Sequence, residues 1–509
     1  MTGGILQIAA RGIEDRFITG NPRITFFKKM YRRHTNYTRG EYDLSFNSKL
    51  DFGKRGICKI KRYGDLLNKL FLVITLPDID IRYKCFTIWD IRQMLKKCNI
   101  IWSTRKRNKE KFTETDYNEV SKIVNDKLVE LEKTLTDTDR NNAIDINKLE
   151  QNISCTEELI LQLNQTLKSG QSANFAWIRK IGHFIIDKIS VTIGDQRIDM
   201  HNGEWLEIWH ELVKVDRKER GYKILIGDVP TLTEFNNIPK DRYKLYIPLQ
   251  FWFNRYMGST LPLVALQHTD VEIYVKLKPF NECAFFDPMT KFCKKPKLKC
   301  HLLAEYIYVE SNERTRIVKN KHEYLIDTLQ INQDILITKD DLNDGIFEAK
   351  LYFQNSCKEL FWVCQNTKHI DGKNLDGIHN ERRWHNYGLE FDTGKTNPIE
   401  SVKIEFSERE RESVKEINYY NYVVPYEHHY ATPSVGINVY SFSLKPELFQ
   451  PSGSANLSRL QNITLVIKFK DSIVDQMQEN NLKFRLAIYG TSYNILRVVS
   501  GMSGLVHFA

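Results

Sequence analysis

Apolar and polar residues alternate with a period of two over both ends of this chain, with a helical interruption between. From Glu41 to Leu50 the side chains of Tyr42, Leu44 and Phe46 alternate with polar neighbours, and Leu70-Phe71-Leu72-Val73-Ile74-Thr75-Leu76 stops at Pro77. Further strands are predicted over Ile185 to Ile193, turning at Gly194-Asp195, and over Lys244 to Phe253, Val271 to Leu277 and Leu302 to Val309. A connector rich in Arg, Lys, Asn and Glu, Ser311 to Tyr324, leads into a second series. Its predicted members are Leu325 to Ile331, Ile346 to Phe353, Leu360 to Cys364, Val402 to Phe406, Ile437 to Phe442, Ile463 to Phe469 and Leu482 to Tyr489.

The interruption runs from about Asp90 to Ser169, where the composition shifts to Lys, Glu, Asn, Leu and Asp. Val120, Val124, Leu128, Leu131 and Leu135 recur at helical spacing, and so do Ile146, Leu149, Ile153, Ile160, Leu163 and Leu167. Thr136 to Asn142 suits the turn between them. The prediction is an α-helical hairpin inserted into a loop of the first strand block. Its apolar stripe is expected to pack on its own partner helix or its host, with a clamp on a neighbouring molecule as the sharper alternative. Outside this insertion, short strands bounded by turn residues, without alternating long helices, predict a mainly β chain of two antiparallel sandwiches. They argue against a doubly wound α/β fold.

At 509 residues, 41% hydrophobic and 12% aromatic, the chain can fill several cores, and the size prior gives two to four domains. The net charge of +10 balances 74 basic against 64 acidic side chains and decides little about partners. The basic runs Arg105-Lys106-Arg107 to Lys111 and Lys291 to Lys299 read first as solvated loops. Nine cysteines show no pairing framework and, with no secretory leader apparent, are expected to be reduced thiols in a cytosolic setting. Cys283, Cys293, Cys300 and His301 form a local group, but they lack the paired C-x-x-C knuckles of a closed zinc site, so no metal is predicted.

Catalytic motifs fail in the same way. Gly394-Lys395-Thr396 imitates a phosphate loop, yet the upstream Gly388 is one residue too far and no strand-to-helix setting surrounds it. His428 and His429 are adjacent, which in a strand would send them to opposite faces. With no nucleophile elbow, H-E-x-x-H or dinucleotide fingerprint, neither enzyme chemistry nor a cofactor is predicted.

Five blocks carry the functional signal. The first is the arm from Gly3-Gly4-Ile5-Leu6-Gln7 through Thr19-Gly20-Asn21-Pro22-Arg23, ending in a basic and aromatic cluster, Phe26 to Tyr37. Its apolar stretches are too short and too interrupted by charge for a leader or a membrane span. The second, Gly203-Glu204-Trp205-Leu206-Glu207-Ile208-Trp209-His210-Glu211-Leu212, puts two tryptophans four residues apart, on one face of a short helix. They are expected to be core anchors, an aromatic pair at a subunit contact being the alternative. The third runs from Ile247-Pro248-Leu249-Gln250-Phe251-Trp252-Phe253 into Leu261-Pro262-Leu263, the fourth from Tyr440-Ser441-Phe442 through Gln450-Pro451-Ser452-Gly453 to Arg459, and the last from Tyr493 to Leu505.

In this order the blocks resemble the major capsid proteins of nucleocytoplasmic large DNA viruses. The resemblance implies a double jelly roll, two tandem jelly-roll β-sandwiches, with an arm over 1–37, a first jelly roll over 38–312 carrying the helical insertion at 90–172, and a second over 313–509. It implies a structural virion protein assembled in the host cytoplasm, whose homotrimer forms a pseudo-hexagonal capsomer of an icosahedral shell. Minor and penton capsid proteins, or an internal membrane at the capsomer base, would be its other partners, with no specific nucleic acid. The residues expected at assembly contacts are Arg23, Phe26, Phe27, Lys28, Lys29, Arg32 and Arg33 of the arm, together with Trp205 and Trp209. The insertion departs from the family pattern. The rival readings are a minor capsid subunit or assembly scaffold of the same fold, a carbohydrate-binding jelly roll and a nucleic-acid-binding shell protein.

Overall fold

The computed structural model describes residues 3–10, 19–29, 31, 33–137, 143–166, 171–287, 290–371, 382–390 and 393–507. Eight strands build the first sandwich: β1 (Tyr37–Ser45), β2 (Arg55–Lys59), β3 (Leu66–Leu76), β4 (Ile186–Ile193), β5 (Gln196–His201), β6 (Tyr243–Pro248), β7 (Val271–Leu277) and β8 (Lys299–Val309). They pair in nested fashion, first with last and fourth with fifth, giving one sheet in the order β1-β8-β3-β6 and another in the order β2-β7-β4-β5. Every pairing is antiparallel. Nested pairing of eight strands across two sheets is the jelly-roll connectivity.

The second sandwich repeats it. Its strands are β9 (His322–Ile331), β10 (Ile346–Leu351), β11 (Ser356–Asn366), β12 (Ile399–Phe406), the short β13 (Lys415–Glu416), β14 (Ile437–Ser441), β15 (Ile463–Phe469) and β16 (Phe484–Val499). One sheet runs β9-β16-β11-β14, while in the other β10, β15 and β12 lie side by side with β13 paired to β12. Each sandwich encloses its own core, around Leu72, Ile74, Ile247 and Ile273 in the first and around Trp362, Leu465, Ile467 and Leu486 in the second.

Several predicted boundaries shift for local reasons. The strand predicted over Lys244 to Phe253 ends at Pro248, and the buried Phe251-Trp252-Phe253 instead enters a one-turn helix, Trp252–Arg255. The strand begun near Leu482 continues through the last sequence block to Val499, where Ser500 and Gly501 both take positive φ (50° and 80°) and return the chain into Met502–Leu505. Two successive positive φ values are what a tight two-residue hairpin turn requires. The Ser311 connector contains a helix, Ser311–Lys319, and strand β2 has no counterpart among the predicted strands.

The insertion lies between β3 and β4 and has a core of its own. It comprises α2 (Ile88–Lys97), α3 (Glu114–Asp137) and α4 (Ala143–Thr166); α1 is the short arm helix Gly3–Ala9. Thr87 and Asp90 form a capping box that starts α2, and at the start of α3 the Asp116 carboxylate accepts from the Thr113 N–H (2.9 Å), the Thr113 hydroxyl (2.6 Å) and Lys106 (2.6 Å). Ile88, Leu95, Trp102, Val120, Val124, Leu159 and Leu163 are buried together, apart from the sandwich core. Two small ribbons root it: Ile81–Tyr83 pairs with Thr290–Phe292, and Phe175–Trp177 with Ala284–Phe286. The expectation that all nine cysteines are free thiols is overturned here. Cys98, at the end of α2, and Cys155, in α4, form a disulfide with Cα atoms 5.8 Å apart, because the three-helix packing brings together residues 57 apart in sequence.

Candidate assembly surfaces

The block Gly203 to Leu212 is a helix, α5 (Gly203–Val213), started by Asn202, whose side chain accepts from the Trp205 N–H at 2.7 Å. Gly203 is required by close approach, since a Cβ there would collide with the carbonyl oxygen of His183. The helix lies on the second sandwich. Trp205, Ile208, Trp209 and Leu212 pack with Phe361, Val363, Val439, Ala487 and Tyr489, which stand on the outward face of the β9-β16-β11-β14 sheet. Strand β11 is therefore buried on both faces, which explains its unbroken apolar run Leu360-Phe361-Trp362-Val363-Cys364.

Polar contacts frame this seam. Tyr489 donates to Glu204 at 2.7 Å, Arg485 pairs with Glu204 and with Asp334 (3.3 Å), and the Leu329 N–H donates to Asp199 at 3.0 Å. Arg255 sits over the Trp209 ring at 4.9 Å and 3.5 Å from Asp327. A cleft of about 430 Å³ opens beside the seam, lined among others by Glu204, Asp334 and Arg485, where the one guanidinium pairs with both carboxylates. Trp205 and Trp209 are 2% and 6% exposed. This corrects their assignment to an assembly contact: their area is already spent joining the two sandwiches of one protomer.

Beneath α5, charges are compensated in place. Lys180 pairs with Glu207 and with Glu211 (3.2 Å), and Lys214 bonds Glu211 at 2.7 Å. Burial pushes the Glu211 carboxyl up, but the Lys180 and Lys214 ammonium groups together hold it at about 2. His183 lies between Glu207 and Tyr222, 2.7 Å from each. In the second sandwich His429 contacts Glu359 and Glu447, each at 2.8 Å. Burial lowers that imidazole, the two carboxylates raise it, and the balance is about 9. His428 ends a short helix, so the two histidines are separated by a change of backbone and not by strand alternation.

The local cysteine group does not converge. Cys283 is buried with its thiol pushed up to about 12 by burial, Cys293 is exposed, and Cys300 lies on β8 beside His301. Among the described residues no three His, Cys, Asp or Glu side chains could hold a metal together.

The arm stands apart from both cores. Phe26 and Phe27 are 91% and 98% exposed, and Arg23, Lys28, Lys29 and Arg33 are exposed with them. Arg32 lies outside the described residues. Aromatic rings left in water next to basic side chains make a surface suited to partners that supply apolar cover and negative charge. No helix among the described residues is long and apolar enough to cross a membrane.

Comparison with known proteins gives this architecture a family. The family described as major capsid protein N-terminus matches residues 25–139 and 128–310, and the one described as large eukaryotic DNA virus major capsid protein matches 313–504. The chain belongs to the major capsid protein family of large eukaryotic DNA viruses. Relatives in this family include the major capsid protein of Pyramimonas orientalis virus, 29% identical with all of both chains covered. Probable capsid protein 4 of Acanthamoeba polyphaga mimivirus is 26% identical over 99% of each chain. A chain of the PBCV-1 virus capsid superposes with a TM-score of 0.66 at 21% identity, covering 95% of this chain and all of the other. The Faustovirus major capsid protein gives 0.65 at 10% identity over 96% and 95%. The double jelly roll is thus the fold of the family, and its members are structural components of virions.

Proposed function

We propose that this capsid protein acts by self-association, as a homotrimer that forms a pseudo-hexagonal capsomer of an icosahedral shell, assembled in the host cytoplasm. The observation that carries the reading is the seam: α5 fixes two sandwiches of the same nested connectivity into one body, so three copies would present six similar β-sandwiches around an axis. The arm supports a second contact. Arg23, Phe26, Phe27, Lys28, Lys29, Arg32 and Arg33 are assigned to the capsomer base, facing minor or penton capsid proteins or an internal membrane. Membership of a family of structural capsid proteins supports a role without catalysis. Sedimentation of the purified chain tests the proposal. The mass of three chains, held on dilution, is the expected result, and a monomer at every concentration overturns it.

A further inference from the structure

The insertion is divided by charge. Residues 84–111 hold nine Lys or Arg against two Asp or Glu, whereas residues 114–158 hold twelve Asp or Glu against five Lys or Arg. The basic part folds as a collar at the foot of the hairpin: the Trp89 N–H donates to the Asn108 carbonyl at 3.1 Å, and Arg92 donates to the Thr104 carbonyl at 2.9 Å. Arg105, Arg107, Lys109 and Lys111 are exposed there and make no ion pair among the described residues. Beside them Trp89 and Ile101 are 52% and 90% exposed.

The hairpin shows the complementary surface at its other end. Near the foot Val120, Val124, Leu159 and Leu163 are buried, but farther out Leu128, Leu131, Leu135, Leu149 and Ile153 are only half-buried, and Val129 is 48% exposed. Asp126, Glu130, Glu132 and Glu150 are exposed along this half-covered seam. It cannot fold back onto its own collar. Glu132 lies eighteen residues along a continuous helix from Glu114, about 27 Å at 1.5 Å per residue.

We propose that the outer half of the α3–α4 hairpin docks on the basic collar of a second copy of this chain, apolar seam against Trp89 and Ile101, carboxylates against Arg105 to Lys111. This deepens the self-association proposed above and rests on it. Opposite charge across the contact sets which surfaces meet, and the apolar residues supply the area.

Carbodiimide cross-linking of the assembled full-length protein tests it, because a bond from Lys109 or Lys111 to Glu132 spans too far to form within one chain. Such bonds are expected. They should fall about tenfold in Arg105→Glu/Arg107→Glu, and equally in Asp126→Lys/Glu130→Lys, while returning when all four substitutions are combined. The reporting residues are untouched in every variant. A trimer without these bonds, or with bonds indifferent to either reversal, overturns the docking and leaves self-association standing. Retention of a polyanion such as heparin by the collar, with no bond to the hairpin, assigns the collar to another partner and overturns it too. A chain that stays monomeric overturns self-association itself.

Discussion

His429 holds a proton between Glu359 of β11 and Glu447, three groups that chain distance keeps apart in sequence and the second sandwich brings within 2.8 Å. Neither carboxylate marks itself in a sequence, and adjacency to His428 points only to a loop, so this ion pair was not legible beforehand. Its pH dependence has a definite sign. The folded value of about 9 lies above the ordinary 6.5, so the stabilisation is complete below about 6.5 and is lost as pH rises through 9. A raise of that size corresponds to roughly 3 kcal/mol. Denaturant midpoints of the wild type are therefore expected to drop between pH 6 and pH 9.5, and those of His429→Gln to change far less over the same range. Equal losses in the two proteins would show that the proton is not held as described.

At the scale of elements, strands were legible by period two where one face of the sheet is buried and the other is not, as in Val271–Leu277, and by a continuous apolar run where both faces are covered, as in Leu360 to Cys364. The hairpin helices were legible from their 3.6 period, although α3 runs to Asp137, into the predicted turn, while α4 begins at Ala143 just after it. What stayed hidden depends on pairing at a distance. The Cys98–Cys155 bond follows from α2 lying along α4, and Trp205 and Trp209 read as a helix face whose cover the sequence does not name. The seam yields its own expectation. Truncating Trp205, 2% exposed between Phe361 and Tyr489, removes a large buried aromatic at the junction and should cost on the order of 3–5 kcal/mol. Because each sandwich keeps its own core, Trp205→Ala is expected to split thermal unfolding into two transitions by calorimetry. A single transition, merely lowered, would mean that the sandwiches do not depend on α5 for their coupling.

For the whole molecule, stability and assembly are carried by different residues, and the arm makes that separation measurable. Phe26 and Phe27 contribute almost no burial within the protomer, so replacing both with alanine should leave the melting temperature close to that of the wild type, within the small range typical of exposed positions. In the proposed lattice the same rings would be covered by a partner, and each covered aromatic is worth roughly 1.5–3 kcal/mol. Phe26→Ala/Phe27→Ala is thus expected to fold and to trimerise, yet to be depleted from purified shells when it competes with the wild-type chain. Sedimentation reads the trimer, and the ratio of the two chains in particles reads the arm. Equal incorporation would remove the arm aromatics from the lattice contact, whereas loss of the trimer itself would move them from the capsomer base to the contact between copies.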